Sequence, residues 1–158
     1  MKIAVLTISD ASYMKMREDV SGPSVRARLE AQGWSVPLLE VLPDEREMIA
    51  GRLRELADSG EYDAVFTTGG TGAALRDVTP EATRDVVERE MPGLGELMRA
   101  EGRKHTTLSY LSRATAGLRG KTLIVNLPGS PKGAVQSLDT VLPLAPHIVD
   151  LLHGKTGH

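Results

Sequence analysis

No cysteine occurs in the 158 residues, and aromatic side chains make up only 3% of them. The first absence removes disulfides, thiolate nucleophiles and cysteine-held zinc together. The second makes base stacking an unexpected mode of binding. Nor does charge of one sign dominate: 19 Lys and Arg face 21 Asp and Glu, so the basic footprint of a nucleic-acid binder is missing. The basic cluster Arg99 to Lys104 is interrupted by Glu101 and reads as a solvated helical face. His105, His147, His153 and His158 are scattered without metal-ligand spacing, so no protein-bound zinc is expected. The N-terminal apolar run, Ile3 to Ile8, is too short for a signal segment or a membrane span. It reads as a first buried strand, and the expected compartment is the cytoplasm, with no membrane partner.

What is present alternates between strand-like and helix-like segments, the pattern of an α/β fold with a mostly parallel sheet. That sheet is expected as the middle of three layers, with helices on both faces and an antiparallel hairpin at one edge. The first strand ends at Thr7-Ile8-Ser9-Asp10, and a loop over 11–21 leads to a helix that Pro23 can open and Gly33 can close. Val25 and Leu29 lie on its inner face. Residues 34–42 read as a second strand, in which Pro37 argues for an edge position or an irregular start. Asp44 begins the next helix, whose Ile49, Leu53, Leu56 and Ala57 recur at helical spacing before Gly60 ends it. A third strand covers 64–68. Thr79 reads as an N-cap with Pro80 at the first helical position, opening a helix to about Glu90. Met91-Pro92-Gly93 breaks it before another helix over 94–104. Runs over 112–118 and 122–127 flank Arg119-Gly120-Lys121 as a hairpin, and a further helix turns Val135, Leu138 and Leu142 inward. A single domain over 1–153, followed by a flexible tail over 154–158, accommodates all of this.

The most informative segment is Thr67-Thr68-Gly69-Gly70-Thr71-Gly72, closed by Arg76-Asp77-Val78-Thr79-Pro80. Three glycines among three hydroxyls, directly after a buried strand, let bare backbone approach a ligand, and successive amides in such a turn form an anion-binding concavity. Asp77, five residues after Gly72, stands where a divalent ion on phosphates can be held. A second turn, Pro128-Gly129-Ser130-Pro131-Lys132-Gly133, occupies the same strand-to-helix position, where ligands gather in open α/β sheets. Either turn alone is as well explained as a tight connection; the pair points to a shared anion-binding crevice. Gly120-Lys121-Thr122 lacks the rest of a phosphate-loop pattern and reads as a plain turn. Asp44 has two readings. With Glu47 three residues on, it fits a helix cap worth about 1 kcal/mol; as a partner of Asp77, it fits a cation site. Ser112, Arg113 and Lys132 are further candidate oxyanion or phosphate contacts, although composition favours a plain surface position for Lys132.

In order along nearly the whole chain stand Ser9-Asp10, Leu42-Pro43-Asp44-Glu45, the Thr67–Gly72 turn and Arg76-Asp77-Val78-Thr79-Pro80-Glu81-Ala82-Thr83. They are followed by Glu90-Met91-Pro92-Gly93, Leu111-Ser112-Arg113 and Asn126-Leu127-Pro128-Gly129-Ser130-Pro131. This set resembles the molybdopterin adenylyltransferases of molybdenum-cofactor biosynthesis, the MogA/MoaB-like group. The resemblance implies transfer of AMP from ATP to the terminal phosphate of molybdopterin, with Mg²⁺ required and pyrophosphate released. It implies catalytic and metal-holding roles for Asp44 and Asp77. Nucleotide or molybdopterin contacts are implied for Ser9, Asp10, Thr68, Gly69, Gly70, Thr71, Gly72, Ser112, Pro128, Gly129, Ser130 and Pro131. It also implies a homotrimer and handover to the molybdenum-inserting protein of the same pathway. The alternative on the same fold is a non-catalytic molybdopterin-binding or carrier protein.

Overall fold

The computed structural model describes residues 1–157. Strand β1 (Lys2–Ile8) is followed by a short helix α1 (Asp10–Tyr13) and then α2 (Ser21–Ala31), β2 (Ser35–Leu42) and α3 (Arg46–Asp58). Next come β3 (Ala64–Thr68), α4 (Thr79–Val86), the two-residue β4 (Arg89–Glu90) and α5 (Pro92–Gly102). A 3-10 turn (Thr107–Leu111) leads to β5 (Ala116–Arg119), β6 (Thr122–Leu127), α6 (Pro131–Val141) and α7 (Ala145–Leu152). The six strands form one sheet in the order β2-β1-β3-β6-β5-β4. β2, β1, β3 and β6 run parallel, while β5 and β4 pair antiparallel at one edge. No helix among the described residues is long and apolar enough to cross a membrane.

Alternation along the central strands explains why their sequence reads as continuously apolar. Ile3 and Val5 of β1, Phe66 of β3 and Leu123 and Val125 of β6 face α2, α5, α6 and α7. Ala4, Leu6 and Ile8, with Val65 and Ile124, face α3 and α4. Each strand is thus buried on both faces, and the sheet is the middle of three layers. The stripe Ile49, Leu53, Leu56 and Ala57 is buried as its spacing predicts. Pro37 does lie on an edge strand, where the β1–β2 register shifts between the pairs Lys2–Ser35 and Ala4–Leu38. A residue without an amide hydrogen is accommodated at such an irregularity.

Several local expectations are corrected. Asp10, expected at the strand end, and residues 11–13, expected as loop, form α1 because Ser9 Oγ accepts from Ser12 N and caps it. The helix expected to reach Glu90 ends at Val86, since Arg89 and Glu90 pair with β5 and extend the hairpin to three strands. Ser112 closes the 3-10 turn instead of starting a strand. In α6 Leu138 is buried as expected, as is Leu142 just past its end, but Val135 is only half-buried and the other buried positions are Ala134, Ser137 and Val141; α7 is an element that the sequence pattern does not announce. Residues 154–157 of the expected tail are exposed, and His158 lies outside the described residues.

Candidate active site

Two parallel strands that neighbour each other must deliver their following turns side by side. β3 and β6 are such neighbours, so the two glycine turns meet at their carboxyl ends. Gly69 N donates to Leu127 O at 3.1 Å, and Thr68 Oγ1 donates to Pro128 O at 2.6 Å. A Cβ on Gly129 would lie 3.3 Å from Gly69 Cα. Gly69 and Gly70 both have positive φ, +102° and +69°. A side chain there would strike Ile8 O or Thr79 Oγ1 respectively, so the turn demands glycine twice over. Below it, the buried Asn126 donates to Thr67 Oγ1 and Thr83 Oγ1 and accepts from Thr115 N, tying β3, β6 and α4 together.

The meeting point is a cleft of about 670 Å³. It opens where the chain turns from β1 to β2 on one side and β3 on the other, the crevice in which open α/β sheets take ligands. Asp44 and Asp77 both line it, together with Ser9, Thr68, Gly69, Gly70, Gly129, Ser130 and Pro131. The amides of Gly70, Gly129 and Ser130 donate to no protein atom among the described residues. Asp10, Thr71, Gly72, Ser112 and Pro128 do not line this cleft. Ser112 and Pro128 border a smaller adjoining cavity of about 300 Å³, which shares Ser130 with the cleft and has Met98, Leu108 and Ala114 on its walls.

Asp44 does not cap α3. Glu45 occupies the N-cap position and its side chain makes no cap bond. Instead Asp44 and Asp10 exchange backbone for side chain: Asp10 N donates to Asp44 Oδ2 and Asp44 N donates to Asp10 Oδ1, both at 2.9 Å. The two acids then diverge. Arg76 grips Asp10 with two hydrogen bonds of 3.0 Å and holds its carboxyl below the usual range. Burial pushes the Asp44 carboxyl up; the Asp10 amide opposes this, and the nearby charges of Asp10 and Asp77 reinforce it. Asp10 is therefore a latch with Arg76, while Asp44 turns Oδ1 toward Gly70.

Asp77 is held by its own turn, its Oδ2 accepting from Ala74 N at 3.1 Å. Arg113, a candidate phosphate contact in the sequence, is engaged elsewhere. Its guanidinium donates to Gly72 O, Asp77 O and Glu81 Oε2, and its amide donates to Thr71 O. It clamps the glycine turn from behind.

Sequence reasoning missed one wall of the cleft. Arg17, Glu18 and Asp19 line it, with Thr7 and Ser21. Asp19 accepts from Thr7 Oγ1 at 2.8 Å and from Gly22 N at 3.1 Å, fastening the 14–20 loop to β1 and to the first turn of α2. An Asp three residues before a glycine at a helix start was the available signal. The lining thus carries four carboxylates against the single guanidinium of Arg17. A polyphosphate entering such a cleft needs a cation with it, since unit charges about 4 Å apart repel by ~4 kcal/mol at an effective dielectric of 20. Among the described residues no group of three or more acids, histidines or cysteines could hold a metal ion. Two carboxylates with phosphate oxygens and water are, however, a coordination that Mg²⁺ favours. Asp44 Oδ1 and Asp77 Oδ2 lie 3.1 Å and 2.8 Å from where Cβ atoms on Gly70 and Gly72 would stand, space left open by glycine. The donor set fits that ion.

Residues 4–147 match the family profile described as "Probable molybdopterin binding domain". The molybdopterin adenylyltransferase of Helicobacter pylori J99 is 44% identical over 156 residues, covering 97% of this chain and 88% of that protein. The protein of the same name in Escherichia coli K12 is 38% identical, covering 98% and 79%. Among solved structures, the molybdopterin biosynthesis enzyme MoaB of Thermus thermophilus superimposes with a TM-score of 0.91 at 48% identity, covering 98% of this chain and 97% of that one.

Proposed function

The chain belongs to the family of probable molybdopterin binding domains, and on that premise we propose that it is a molybdopterin adenylyltransferase of molybdenum cofactor biosynthesis. It moves AMP from ATP to the terminal phosphate of molybdopterin. A phosphate oxygen of molybdopterin forms a bond to the α-phosphorus as the bond from that phosphorus to the bridging oxygen breaks, and pyrophosphate leaves. One observation carries this reading: Asp44, Asp77 and both glycine turns converge on one cleft.

The attacking group is already an anion at neutral pH, so no strong general base is required, and the lack of cysteine or clustered histidine is no obstacle. The work lies in bringing two polyanions together and stabilising charge as it shifts to the leaving group. The free amides of Gly70, Gly129 and Ser130 supply donors to phosphate oxygens. Arg17 supplies a guanidinium at the rim. Asp44 and Asp77 would hold Mg²⁺, which when bound would neutralise charge on the phosphates. Ser9 and Thr68 shape the wall through bonds to Ser12 N and Pro128 O. The adjoining cavity, with Met98, Leu108 and Pro128 on its walls and Ser112 at its border, takes the pterin end, while Ser130 stands between the two substrates. Asp10, Thr71 and Gly72 serve behind the cleft by holding Asp44 and Arg113. A carrier would have no need of two acids beside a phosphate cradle. A homotrimer, a cytoplasmic location and handover to the molybdenum-inserting protein complete the proposal.

Incubation of the purified protein with ATP, Mg²⁺ and molybdopterin tests it. Pyrophosphate equimolar with an adenylylated pterin is expected. Tight uptake of the pterin with no pyrophosphate would establish the carrier instead.

A further inference from the structure

Thr79 opens α4 and is completely buried, at 0% exposure. Its Oγ1 is the buried side-chain polar atom that finds no hydrogen-bond partner among the described residues. Burying a hydroxyl unpartnered is unfavourable, and valine would fill almost the same space without that penalty. At the first helical position no carbonyl of the same helix lies one turn back to receive it. The residue is nevertheless firmly placed, because Thr79 N donates to Gly70 O at 3.1 Å.

Its surroundings suggest what the hydroxyl serves. A Cβ on Gly70 would collide with Thr79 Oγ1 and lie 3.1 Å from Asp44 Oδ1. The hydroxyl and the carboxylate oxygen therefore both border the space that glycine leaves open at position 70. Asp44 Oδ2 is already engaged by Asp10 N, so Oδ1 is the oxygen left for chemistry. A buried hydroxyl cannot itself reach the nucleotide; it can act only through a neighbour, and the neighbour facing the cleft is Asp44.

We propose that Thr79 is a positioning residue for adenylyl transfer, its hydroxyl donating to Asp44 Oδ1 when the cleft is occupied and holding that oxygen toward the phosphates. Glycine at position 70 is what lets the two groups approach. The inference rests on the adenylyltransferase reading for its effect on rate, but the Thr79–Asp44 coupling can be measured by binding alone.

Thr79→Val and Thr79→Ser are compared with the wild type in thermal melting, in pyrophosphate release, and in calorimetric binding of a non-hydrolysable ATP analogue with Mn²⁺. Thr79→Val is expected to melt at or above the wild-type temperature yet lose at least about tenfold in kcat, equivalent to about 1.4 kcal/mol. Thr79→Ser keeps the donor and should stay within about threefold of the wild-type rate, on the same conversion. Analogue affinity should fall with Thr79→Val in the wild-type background and not fall further in the Asp44→Asn background, because coupled residues are not additive. Near-wild-type turnover in Thr79→Val, an additive loss in the double variant, or an inactive but stable Thr79→Ser each overturns the proposal. Should Thr79→Val fail to fold, the Thr79→Ser result decides alone. Absence of pyrophosphate release by the wild type sinks the adenylyltransferase reading instead, and the binding cycle still judges Thr79.

Discussion

Asp44 and Asp10 are the same residue type with carboxyls shifted in opposite directions, and the difference lies in their surroundings. Asp10 faces Arg76, so its carboxyl is held low. Asp44 is half-buried beside two other acids and is pushed high. The consequences for stability have opposite signs. The Asp10 contribution is present above the ordinary carboxyl value of about 3.9 and is lost as pH falls through its lowered folded value. The Asp44 contribution is present below about 3.9 and is lost as pH rises through its raised folded value. Asp44→Asn, which keeps an oxygen to accept from Asp10 N, should therefore melt higher than the wild type at neutral pH, with the gain vanishing in acid; an unchanged difference across pH would contradict this. Asp77→Asn should abolish pyrophosphate release with little change in melting temperature, because the new side chain can still accept from Ala74 N. Normal turnover in that variant removes Asp77 from the chemistry.

At the scale of elements, the cleft exists because turns are braced from behind. Arg113 joins Thr71, Gly72, Asp77 and Glu81, and Asn126 joins β3, β6 and α4. The glycine turn fits only while position 69 has no side chain. Gly69→Ala places a Cβ against Ile8 O at a φ of +102°. Backbone strain of this kind costs about 1–3 kcal/mol, and displacement of the turn should weaken nucleotide binding as well. Urea unfolding and calorimetry on the same variant check both effects; a fully stable variant with normal affinity would show that the turn tolerates the group. This much was legible in advance, since a double-glycine turn after an apolar strand has a local signature. The cap expected from Asp44 was not borne out, because a pattern of Asp followed by Glu cannot reveal a donor 34 residues away. The two-residue β4 was equally hidden, being a strand only by virtue of its pairing with β5.

For the whole molecule, the two hydrophobic clusters on either side of the sheet set stability. Phe66 sits at the centre of β3 with no exposure, flanked by β1 and β6. Phe66→Ala should destabilise the fold by about 3–5 kcal/mol in denaturant titration, the range for deleting a buried aromatic side chain; a loss of under ~1 kcal/mol would mean the core repacks around the gap. If the proposed trimer forms, light scattering should return three times the 17.0 kDa chain mass, and a value of one chain mass would refute it.

The alternation of the main strands and helices, the doubly buried centre of the sheet and the two glycine turns were determined by the sequence alone. Each depends on residues close together in the chain, through apolar alternation, helical spacing or backbone freedom. Tertiary structure alone decided that Asp44 is a cleft residue and no cap, and that Arg76 and Arg113 brace the site. It alone brought Arg17 and Asp19 to form a wall and set Thr79 and Asp44 beside the same open space at Gly70. Those outcomes depend on contacts between residues far apart in the chain, and no local pattern encodes a distance that only the folded sheet creates.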